Sequence, residues 1–382
     1  MATAEETDLR LALFPDVHAS ERLLKWRPGL TTPTTLLLSS GSPLPASNHL
    51  NLLVAQTLQA ALEPSTRTNY GYSIGIFIRF CFDLGLCVSQ IFPISEGLLL
   101  AFVCAQAGSR AKKTVINHLS ALAAWHETWG LRWHRFDVVD RALQGVGKLA
   151  PAHLPLRPPV ELSDLLSARL FLHTTTNPLH AAVWACALMS FWSACRLGET
   201  TVPSAAYFNP ARHVTRAAVG PLRTTSDGAQ ALAVELPWTK TTRQDGMTKV
   251  LSSQAEELDP VHALRWHLSV NSLPGLDSTA TALFAYKIRA GPGWRMTPLT
   301  KVTMLNTFSE ALRLAGRPTF SGHSFRIGAA TYYWHRGASV DEIKLLGGWA
   351  SDSFRVYLRD PVLGLAPLQQ RFGAPSSASQ SL

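Results

Sequence analysis

Cysteine is scarce in this sequence and shows no paired spacing. The 382 residues contain five cysteines, an odd number, and none of them forms a C-x-x-C pair. A disulfide-stabilised secreted domain and a structural zinc site are therefore both disfavoured. Most of the cysteines lie in apolar runs, which is typical of reduced core thiols in an intracellular protein.

Targeting and nucleotide-binding signals are also missing. The opening residues MATAEETDLRLALF are acidic where a signal peptide would be basic, and the longest apolar run, HAAVWACALMSFWSAC, is shorter than a membrane span. We therefore expect a soluble protein without a membrane partner. The sequence contains neither a G-x-x-x-x-G-K-[ST] phosphate loop nor a paired-carboxylate metal cluster, so no motif indicates a cofactor.

Basic residues exceed acidic ones. Lys and Arg number 35 against 26 Asp and Glu, which gives a formal net charge of +9. An excess of this size is compatible with a polyanionic partner such as nucleic acid, although charge alone does not identify one.

The apolar pattern divides the chain into two domains. Residues 1–47 include a Thr-, Ser- and Pro-rich stretch without periodicity, which predicts a flexible arm. Residues 48–147 carry apolar residues at helical spacing, in segments that end at Gly or Pro, which predicts an all-α domain. Residues 148–162, KLAPAHLPLRPPVEL, are proline-rich and cannot continue a helix, so we predict a linker there.

Residues 163–372 are predicted to form a second domain, and residues 373–382 a disordered tail. Asn177 followed by Pro178 is typical of a helix start, and Ser339 with Glu342 forms a capping box. The segment GAQALAVELPWTKTTRQDGMTKVLSS alternates apolar and polar residues on both sides of an RQDG turn, which predicts a β-hairpin. The predicted fold class is mainly α with one small antiparallel β-sheet, an α+β domain preceded by a helical one.

Several polar residues of the second domain stand in a suggestive order. Arg196 follows a long apolar helix, with Glu199 placed to orient its guanidinium. His323 and Arg326 are three residues apart and therefore share one helix face. Taken singly, both patterns more often represent a helix-end ion pair or a solvated helix face.

Three further residues are candidates because of their place in the same sequence order. Lys240 stands next to the predicted hairpin turn, Trp349 follows a Gly-Gly pair, and Tyr357 lies on the helix after it. Most hairpin lysines only keep sheet edges soluble, and a tyrosine on a terminal helix usually packs in the core. The order of the whole set, rather than any single residue, carries the information.

That order (R-L-G-E, a hairpin lysine, H-x-x-R, G-G-W and then a tyrosine) resembles the catalytic signature of the tyrosine recombinases, the phage-integrase family. The resemblance covers about residues 50 to 360. The ending GGWASDSFRVYLR is most similar to the recombinases of Crypton and DIRS-type eukaryotic mobile elements. The resemblance implies that residues 48–147 form a helical DNA-clamping (core-binding, SAM-like) domain and residues 163–372 the recombinase catalytic domain.

The resemblance also implies a reaction and a role for each residue. Tyr357 attacks a DNA phosphodiester and forms a 3′-phosphotyrosyl bond, while Arg196 and Arg326 bind the nonbridging oxygens of the scissile phosphate. Lys240 is the general acid for the leaving 5′-oxygen, and His323 relays protons or holds the phosphate. No metal or other cofactor is implied.

Trp349 is carried over as a donor of its indole N–H to a phosphate oxygen. Lys249, on the return strand of the hairpin, is a rival of Lys240, which we prefer because it stands before the turn. Glu199 is expected to support Arg196. Four residues of the helix after His323 are interpreted as structural: Tyr332, Tyr333, His335 and Arg336.

The first domain offers candidate phosphate contacts at two helix starts. STRTNYGY is predicted to begin a helix with a capping Ser or Thr, and SRAKKTVINHL is read similarly. Solvated helix faces are the alternative interpretation. The candidate DNA-binding residues are Arg67, Asn69, Tyr70, Arg110, Lys112 and Lys113.

The family resemblance implies site-specific DNA recombination, for integration or excision of a mobile element. Two alternatives stay open: a catalytically silent, domesticated DNA-binding protein, and a DNA-relaxing enzyme like the type IB topoisomerases. The expected partners are double-stranded DNA and further copies of the chain, as a tetramer on two duplexes. A nuclear location is expected from the eukaryotic relatives, although no dense Lys/Arg run forms an import signal.

Overall fold

The protein divides into two compact units, Met1–Leu154 and Pro155–Leu382. The computed structural model describes residues 17–25, 48–129, 131–134, 136–152 and 155–371. The division between the units lies within the proline-rich segment 148–162. The predicted tail, residues 373–382, lies outside the described residues, as does most of the predicted arm.

The N-terminal unit is helical throughout its described part. Its helices are α1 (Ala19–Lys25), α2 (Asn48–Ala60), α3 (Pro64–Asp83), α4 (Val88–Ile91), α5 (Glu96–Cys104), α6 (Lys112–Thr128) and α7 (Asp137–Lys148). Fully buried rings of Phe77, Phe102 and Trp125 form the centre of its core. The helical period of the sequence predicted this class because the apolar sides of α1, α3, α5, α6 and α7 face that core.

The prediction of a flexible arm is wrong for residues 17–25. Helix α1 packs against α3, with Ala19 and Leu23 buried. The guanidinium of Arg22 donates to the carbonyl of Gly71 at 2.8 Å. A Cβ at Gly71 would meet the Ala19 carbonyl oxygen at 1.8 Å, so the two helices approach this closely only because position 71 is glycine.

The C-terminal unit is built around one buried helix. Its helices are α8 (Leu162–Arg169), α9 (Pro178–Trp192), α10 (Leu197–Thr200), α11 (Pro260–Val270), α12 (Lys301–Leu314), α13 (Ser324–His335), α14 (Val340–Gly347) and α15 (Pro361–Arg371). Helix α9 is buried from Ala181 to Trp192 and contacts α11, α12 and α13. In the described residues, no helix is long and apolar enough to span a membrane.

Two helix starts have the predicted chemistry. The side chain of Asn177 accepts hydrogen bonds from the first amides of α9, and Pro178 is its first residue. At α14, the amide of Ser339 donates to the carboxylate of Glu342 at 2.6 Å, and the Ser339 hydroxyl accepts the return bond. Both caps satisfy amides that a helix start otherwise leaves unpaired.

The sheet content differs from the prediction in two ways. Strands β1 (Arg223–Thr224), β2 (Gln230–Leu236) and β3 (Met247–Ser252) form one antiparallel sheet, but residues 237–246 make a longer connection than the expected RQDG turn. A second hairpin, β4 (Tyr286–Ala290) and β5 (Gly293–Thr297), was not predicted. Its two-residue turn begins with Gly291, which has a φ of +58°, so the chain reverses at a residue that allows this conformation.

Candidate active site

Tyr357 lies against His323 of the same chain. The phenol oxygen is 2.9 Å from His323 Nε2, and the two rings meet edge to face. His323 is the residue that caps the start of α13, whereas Tyr357 ends a short 3₁₀ helix, Asp352–Tyr357. The backbone oxygen of Tyr357 accepts a hydrogen bond from the Thr331 hydroxyl at 3.0 Å, which fixes the phenol in front of α13.

Arg326 is fully buried next to this pair. Its Nη1 donates to the carbonyl of Ala194 in the turn between α9 and α10, while its Nε and Nη2 are buried without a hydrogen-bond partner. Burial and, next in size, the positive charge of Arg196 lower the pKa of Arg326 to about 10. Buried donors of a charged group that lack a partner are costly, so they point to an anionic ligand at this position.

Trp349 covers one side of Arg326. The guanidinium carbon lies 3.8 Å from the centroid of the indole, which is 7% exposed, and the indole is 5.8 Å from the ring of Tyr357. Gly348, with a φ of +69°, ends α14 and turns the chain so that Trp349 faces the arginine. A Cβ at Gly347 would meet the indole at 1.7 Å, which gives the Gly-Gly pair a physical reason.

Arg196 is held by Glu199, as the sequence suggested. Its Nη1 donates to one carboxylate oxygen at 2.7 Å, and its backbone amide donates to the other at 2.9 Å. Arg196 retains about a quarter of its side-chain exposure, while Glu199 is 6% exposed. The carboxylate therefore orients an arginine that remains accessible to a ligand.

The structure separates the two candidate lysines. Lys240 is exposed in the connection between β2 and β3 and forms no hydrogen bond or ion pair with the described residues. Lys249 is 2% exposed, and its ammonium donates to the carbonyls of Ser193 at 3.1 Å and Leu346 at 2.7 Å. Thus the lysine that the structure brings to the cluster is Lys249, the rival that the sequence analysis did not prefer.

Lys249 lies in the electrostatic environment of the candidate active site. Burial lowers its pKa, and the charges of Arg326 and Arg196 lower it further, while Glu199 opposes them. The alternation of β3 contained the signal, because Lys249 faces inward with Leu251, whereas Val250 between them is exposed. A lysine at an inward position of a strand is unusual, because burial of an ammonium is costly, and this signal is visible in the sequence alone.

Further cations surround His323. Burial lowers its pKa, and the next largest causes are the positive charges of Arg157 and Arg326, followed by those of Arg196 and Lys301. The exposed Arg157 is held nearby, because its backbone oxygen accepts two hydrogen bonds from the guanidinium of Arg359 at 3.3 and 3.2 Å. All of these causes favour the neutral form of His323.

The residues interpreted as structural have structural contacts. The phenol of Tyr333 donates to the carbonyl of Trp192 at 2.9 Å, and burial raises its pKa to about 12. Tyr332 packs against the core cluster of α9. Nε2 of His335 binds the carbonyls of Arg359 and Asp360 at 2.9 and 3.2 Å, which anchors the segment after Tyr357.

The candidate DNA-binding residues lie in the N-terminal unit and do not form one cluster by direct contact. Helix α3 begins at Pro64 without a side-chain cap, so the predicted Ser/Thr cap is wrong and Arg67, Asn69 and Tyr70 follow the first residues of the helix. Tyr70 packs against the core of the unit.

At the start of α6, the ammonium of Lys112 donates to the side-chain oxygen of Gln144 at 2.8 Å. Arg110 and Lys113 are exposed. Their role in DNA binding stays a prediction. Among the residues that the structure describes, no group of three or more His, Cys, Asp or Glu side chains forms a candidate metal site.

The chain has the fold of the tyrosine recombinases, mainly α with small antiparallel sheets, as predicted. It is similar to the XerH site-specific recombinase bound to palindromic difH substrate in a post-cleavage complex, with a TM-score of 0.51 and 12% sequence identity over 86% of this chain and 84% of that chain. It is also similar to the Tn1549 transposon integrase in complex with transposon right-end DNA, with a TM-score of 0.50 and 15% identity over 85% and 99% of the two chains. No protein-family model and no curated protein matches the sequence.

Proposed function

We propose that this protein is a site-specific DNA recombinase that cuts and rejoins DNA through Tyr357. The observation that carries the proposal is the contact of the Tyr357 phenol with His323 at 2.9 Å, beside two unpaired donor nitrogens of the buried Arg326. Cleavage of a phosphodiester by a side chain requires a nucleophile, a base and hydrogen-bond donors for the phosphate oxygens. This site contains a candidate for each.

The first chemical problem is the phenol proton. A tyrosine with an ordinary pKa near 10 is ionised to about one part in a thousand at pH 7, a deficit of roughly 4 kcal/mol. Because the pKa of His323 is lowered, its Nε2 is free to accept this proton while the Tyr357 oxygen attacks phosphorus. Arg326 and Arg196 then stabilise the nonbridging oxygens, whose negative charge grows in the transition state.

The second problem is the leaving group. Attack forms the bond between the Tyr357 oxygen and phosphorus and breaks the bond between phosphorus and the 5′-oxygen, which needs a proton to leave as a hydroxyl. Lys249 is our preferred donor, since it is buried beside both arginines and its pKa is lowered by burial. Lys240, the residue preferred from sequence, remains the alternative acid. In the reverse reaction a 5′-hydroxyl attacks the phosphotyrosine, so no cofactor is required.

The subfamily, the cellular location and the assembly state are proposed from the sequence resemblance. We propose integration or excision of a mobile element of the Crypton or DIRS type, in the nucleus, by a tetramer on two duplexes. The GGWASDSFRVYLR ending supports the subfamily. The described neighbours are a site-specific recombinase and a transposon integrase, each bound to DNA, which supports double-stranded DNA as the partner of this chain.

The N-terminal unit is proposed to supply contacts to the DNA backbone. Arg110 and Lys113 are exposed at the start of α6, where a helix terminus and two cations favour a phosphate. Arg67, Asn69, Tyr70 and Lys112 complete the candidate set from the sequence.

Trapping of a covalent adduct tests the proposal. Full-length protein is incubated with nicked suicide duplexes that carry candidate element ends, denatured and analysed for a protein–DNA adduct. We expect an adduct with the wild type, and none with Tyr357→Phe, because the variant lacks the nucleophilic oxygen. Tyr332→Phe is the matched control, since it removes a phenol from the core side of the same unit and should leave the adduct intact.

Three results would count against the proposal in different ways. An adduct that persists in Tyr357→Phe contradicts the assignment of the nucleophile. Loss of DNA binding in that variant shows that the phenol is needed for more than chemistry. Binding of every duplex by the wild type without any adduct supports the catalytically silent DNA-binding protein instead.

A further inference from the structure

The second hairpin of the C-terminal unit has one basic and aromatic face. In the antiparallel pairing of β4 with β5, Arg289 stands opposite Trp294, and Lys287 stands opposite Met296. Because opposite residues of a ladder share a face and alternate residues along a strand do too, Lys287, Arg289 and Trp294 lie on the same face. We call these three residues the Trp294 face. Arg295, opposite Ile288, lies on the other face.

The two cations of the Trp294 face lie against the same indole and have no acidic partner among the described residues. The guanidinium of Arg289 lies 4.3 Å from the indole centroid, and the ammonium of Lys287 lies 5.5 Å from it. Neither side chain forms a hydrogen bond or ion pair with the described residues, and the hairpin sequence YKIRAGPGWRMT contains no Asp or Glu. Trp294 is 42% exposed, so the face is open to solvent. An anion in front of it would relieve the repulsion between the two cations.

The hairpin is fixed at its base and leads directly to the candidate active site. The backbone amide of Lys287 donates to the side-chain oxygen of Asn271 at 2.9 Å, at the end of α11. After β5 ends at Thr297, four residues lead to Lys301, a distance of at most about 14 Å. The side chain of Lys301 lies beside Gly322, because a Cβ there would be 3.1 Å from Lys301 Cε, and Gly322 directly precedes His323.

The length of chain between the hairpin and Lys301 sets an upper limit on their separation. The hairpin strands have five residues each, so they extend roughly 17 Å. The hairpin and the connection to Lys301 together therefore span at most about 31 Å, which is comparable with one turn of duplex, roughly 34 Å. A DNA backbone that leaves the site has phosphates at this range.

We propose that the Trp294 face is a second phosphate-binding element, which contacts the DNA backbone that flanks the cleaved bond. Lys287 and Arg289 make the phosphate contacts, and Trp294 is a positioning residue that holds the guanidinium of Arg289 through its ring. This inference rests on the proposed function, because it takes duplex DNA as the ligand. The competing explanation is that the cations only protect the two edges of a small sheet from aggregation.

Salt dependence of DNA binding separates these explanations. The affinity of full-length protein for a fluorescein-labelled duplex of about 30 base pairs is measured by anisotropy between 50 and 200 mM salt. We expect Lys287→Ala/Arg289→Ala to reduce the slope of log affinity against log salt by about 1.8, that is 0.9 for each lost phosphate contact. The advantage of the wild type over the variant then shrinks roughly 12-fold across this salt range.

Arg295→Ala is the matched control, since it removes a cation from the opposite face of the same hairpin. We expect its slope to equal that of the wild type. Trp294→Ala should weaken binding, and Trp294→Phe should restore most of the loss, because phenylalanine retains a ring for Arg289. Thermal unfolding of each variant establishes that the hairpin substitutions leave the fold intact.

The outcomes for the two proposals differ. A wild type that binds DNA with a salt-dependent affinity, combined with an unchanged slope in Lys287→Ala/Arg289→Ala, overturns the inference and leaves the proposed function standing. An equal reduction of the slope in Arg295→Ala also overturns the inference, because the effect then depends only on the overall charge of the protein. A wild type that binds no duplex at all overturns both proposals.

Discussion

Two Arg–His pairs lie in the C-terminal unit, and they differ in what satisfies them. In the first pair, Arg216 donates to the carbonyls of Asn271 at 3.0 Å and Ala285 at 2.8 Å. His267 is bonded at both ring nitrogens, to the carbonyl of Leu283 at 3.0 Å and to the side-chain amide of Asn271 at 2.9 Å. This pair closes a network between α11 and the strand region that follows it.

The second pair, Arg326 and His323, is only partly satisfied by the protein. Arg326 has one carbonyl partner and leaves Nε and Nη2 unpaired, whereas Arg216 leaves only Nε. The imidazole of His323 binds a phenol instead of the backbone. Burial lowers the pKa of both arginines to about 10, so burial does not tell the two pairs apart. The number of unpaired donor nitrogens distinguishes the two pairs, and it identifies Arg326 and His323 as the pair with donors available to a ligand.

Substitution of each arginine by methionine tests whether unpaired donors, rather than burial, distinguish the two pairs. In Arg326→Met we expect the rate of adduct formation to fall about 10³-fold, because two preorganised donors for the phosphate are lost. Its free energy of unfolding should change little, since an incompletely paired buried charge is replaced by an apolar chain of similar length. Arg216→Met should do the reverse and destabilise the protein by about 2–4 kcal/mol, because two carbonyls lose their donor.

Adduct trapping and urea unfolding on the same two variants provide the measurement. The comparison fails if Arg326→Met is the less stable variant, or if Arg216→Met loses adduct formation while it remains folded at the assay temperature.

Lys249 is a third buried cation of the C-terminal unit. It has two carbonyl partners and yet belongs to the candidate active site. If it protonates the leaving oxygen, Lys249→Met should slow cleavage on the order of 10²-fold. A duplex with sulfur in place of the bridging 5′-oxygen should restore the rate, since a thiolate leaves without a proton. Lys240→Met, on the exposed connection, is the matched control and should have a small effect on both substrates.

Cleavage rates of both variants on the oxygen and sulfur substrates decide between the lysines. Rescue of Lys240→Met by sulfur, with no rescue of Lys249→Met, would reverse our assignment and leave Lys249 a structural bridge between the turn after α9 and the end of α14.

The sequence was informative where chemistry repeats in a fixed local pattern. Helix periods, the caps at Asn177 and Ser339, and the spacing of His323 and Arg326 depend on neighbours within one or two turns, so they were predictable. The Gly347–Gly348 pair before Trp349 was equally visible, and the structure supplies its reason.

The sequence was less informative where contacts are long-range. The docking of α1 depends on Gly71, which lies 49 residues from Arg22, and composition could not reveal this. The burial of Lys249 depends on carbonyls at Ser193 and Leu346, far apart in the chain. The choice between two lysines on one hairpin therefore required the fold.

Lowering the pH should distinguish His267 from His323. We expect smaller effects here than from the arginine and lysine substitutions. Burial lowers the pKa of His267 from 6.5 to about 3, so the unfolded chain binds a proton more readily than the folded one. Stability from this residue is therefore complete above pH 6.5 and is lost as the pH falls toward 3, by up to about 1.4 kcal/mol per pH unit. His267→Gln should reduce the pH slope of the unfolding free energy over that range, as measured by urea unfolding.

His323 should respond to acid in activity as well as in stability. Because its pKa is also lowered, the wild type should lose its cleavage rate only as the pH falls below the usual range of a histidine, when a protonated Nε2 can no longer accept the phenol proton. His323→Gln should remove this acid limb from the pH profile of adduct formation, whereas His267→Gln should keep it. If the profile keeps its acid limb in His323→Gln, another group takes the phenol proton, and the contrast between a structural and a reactive histidine disappears.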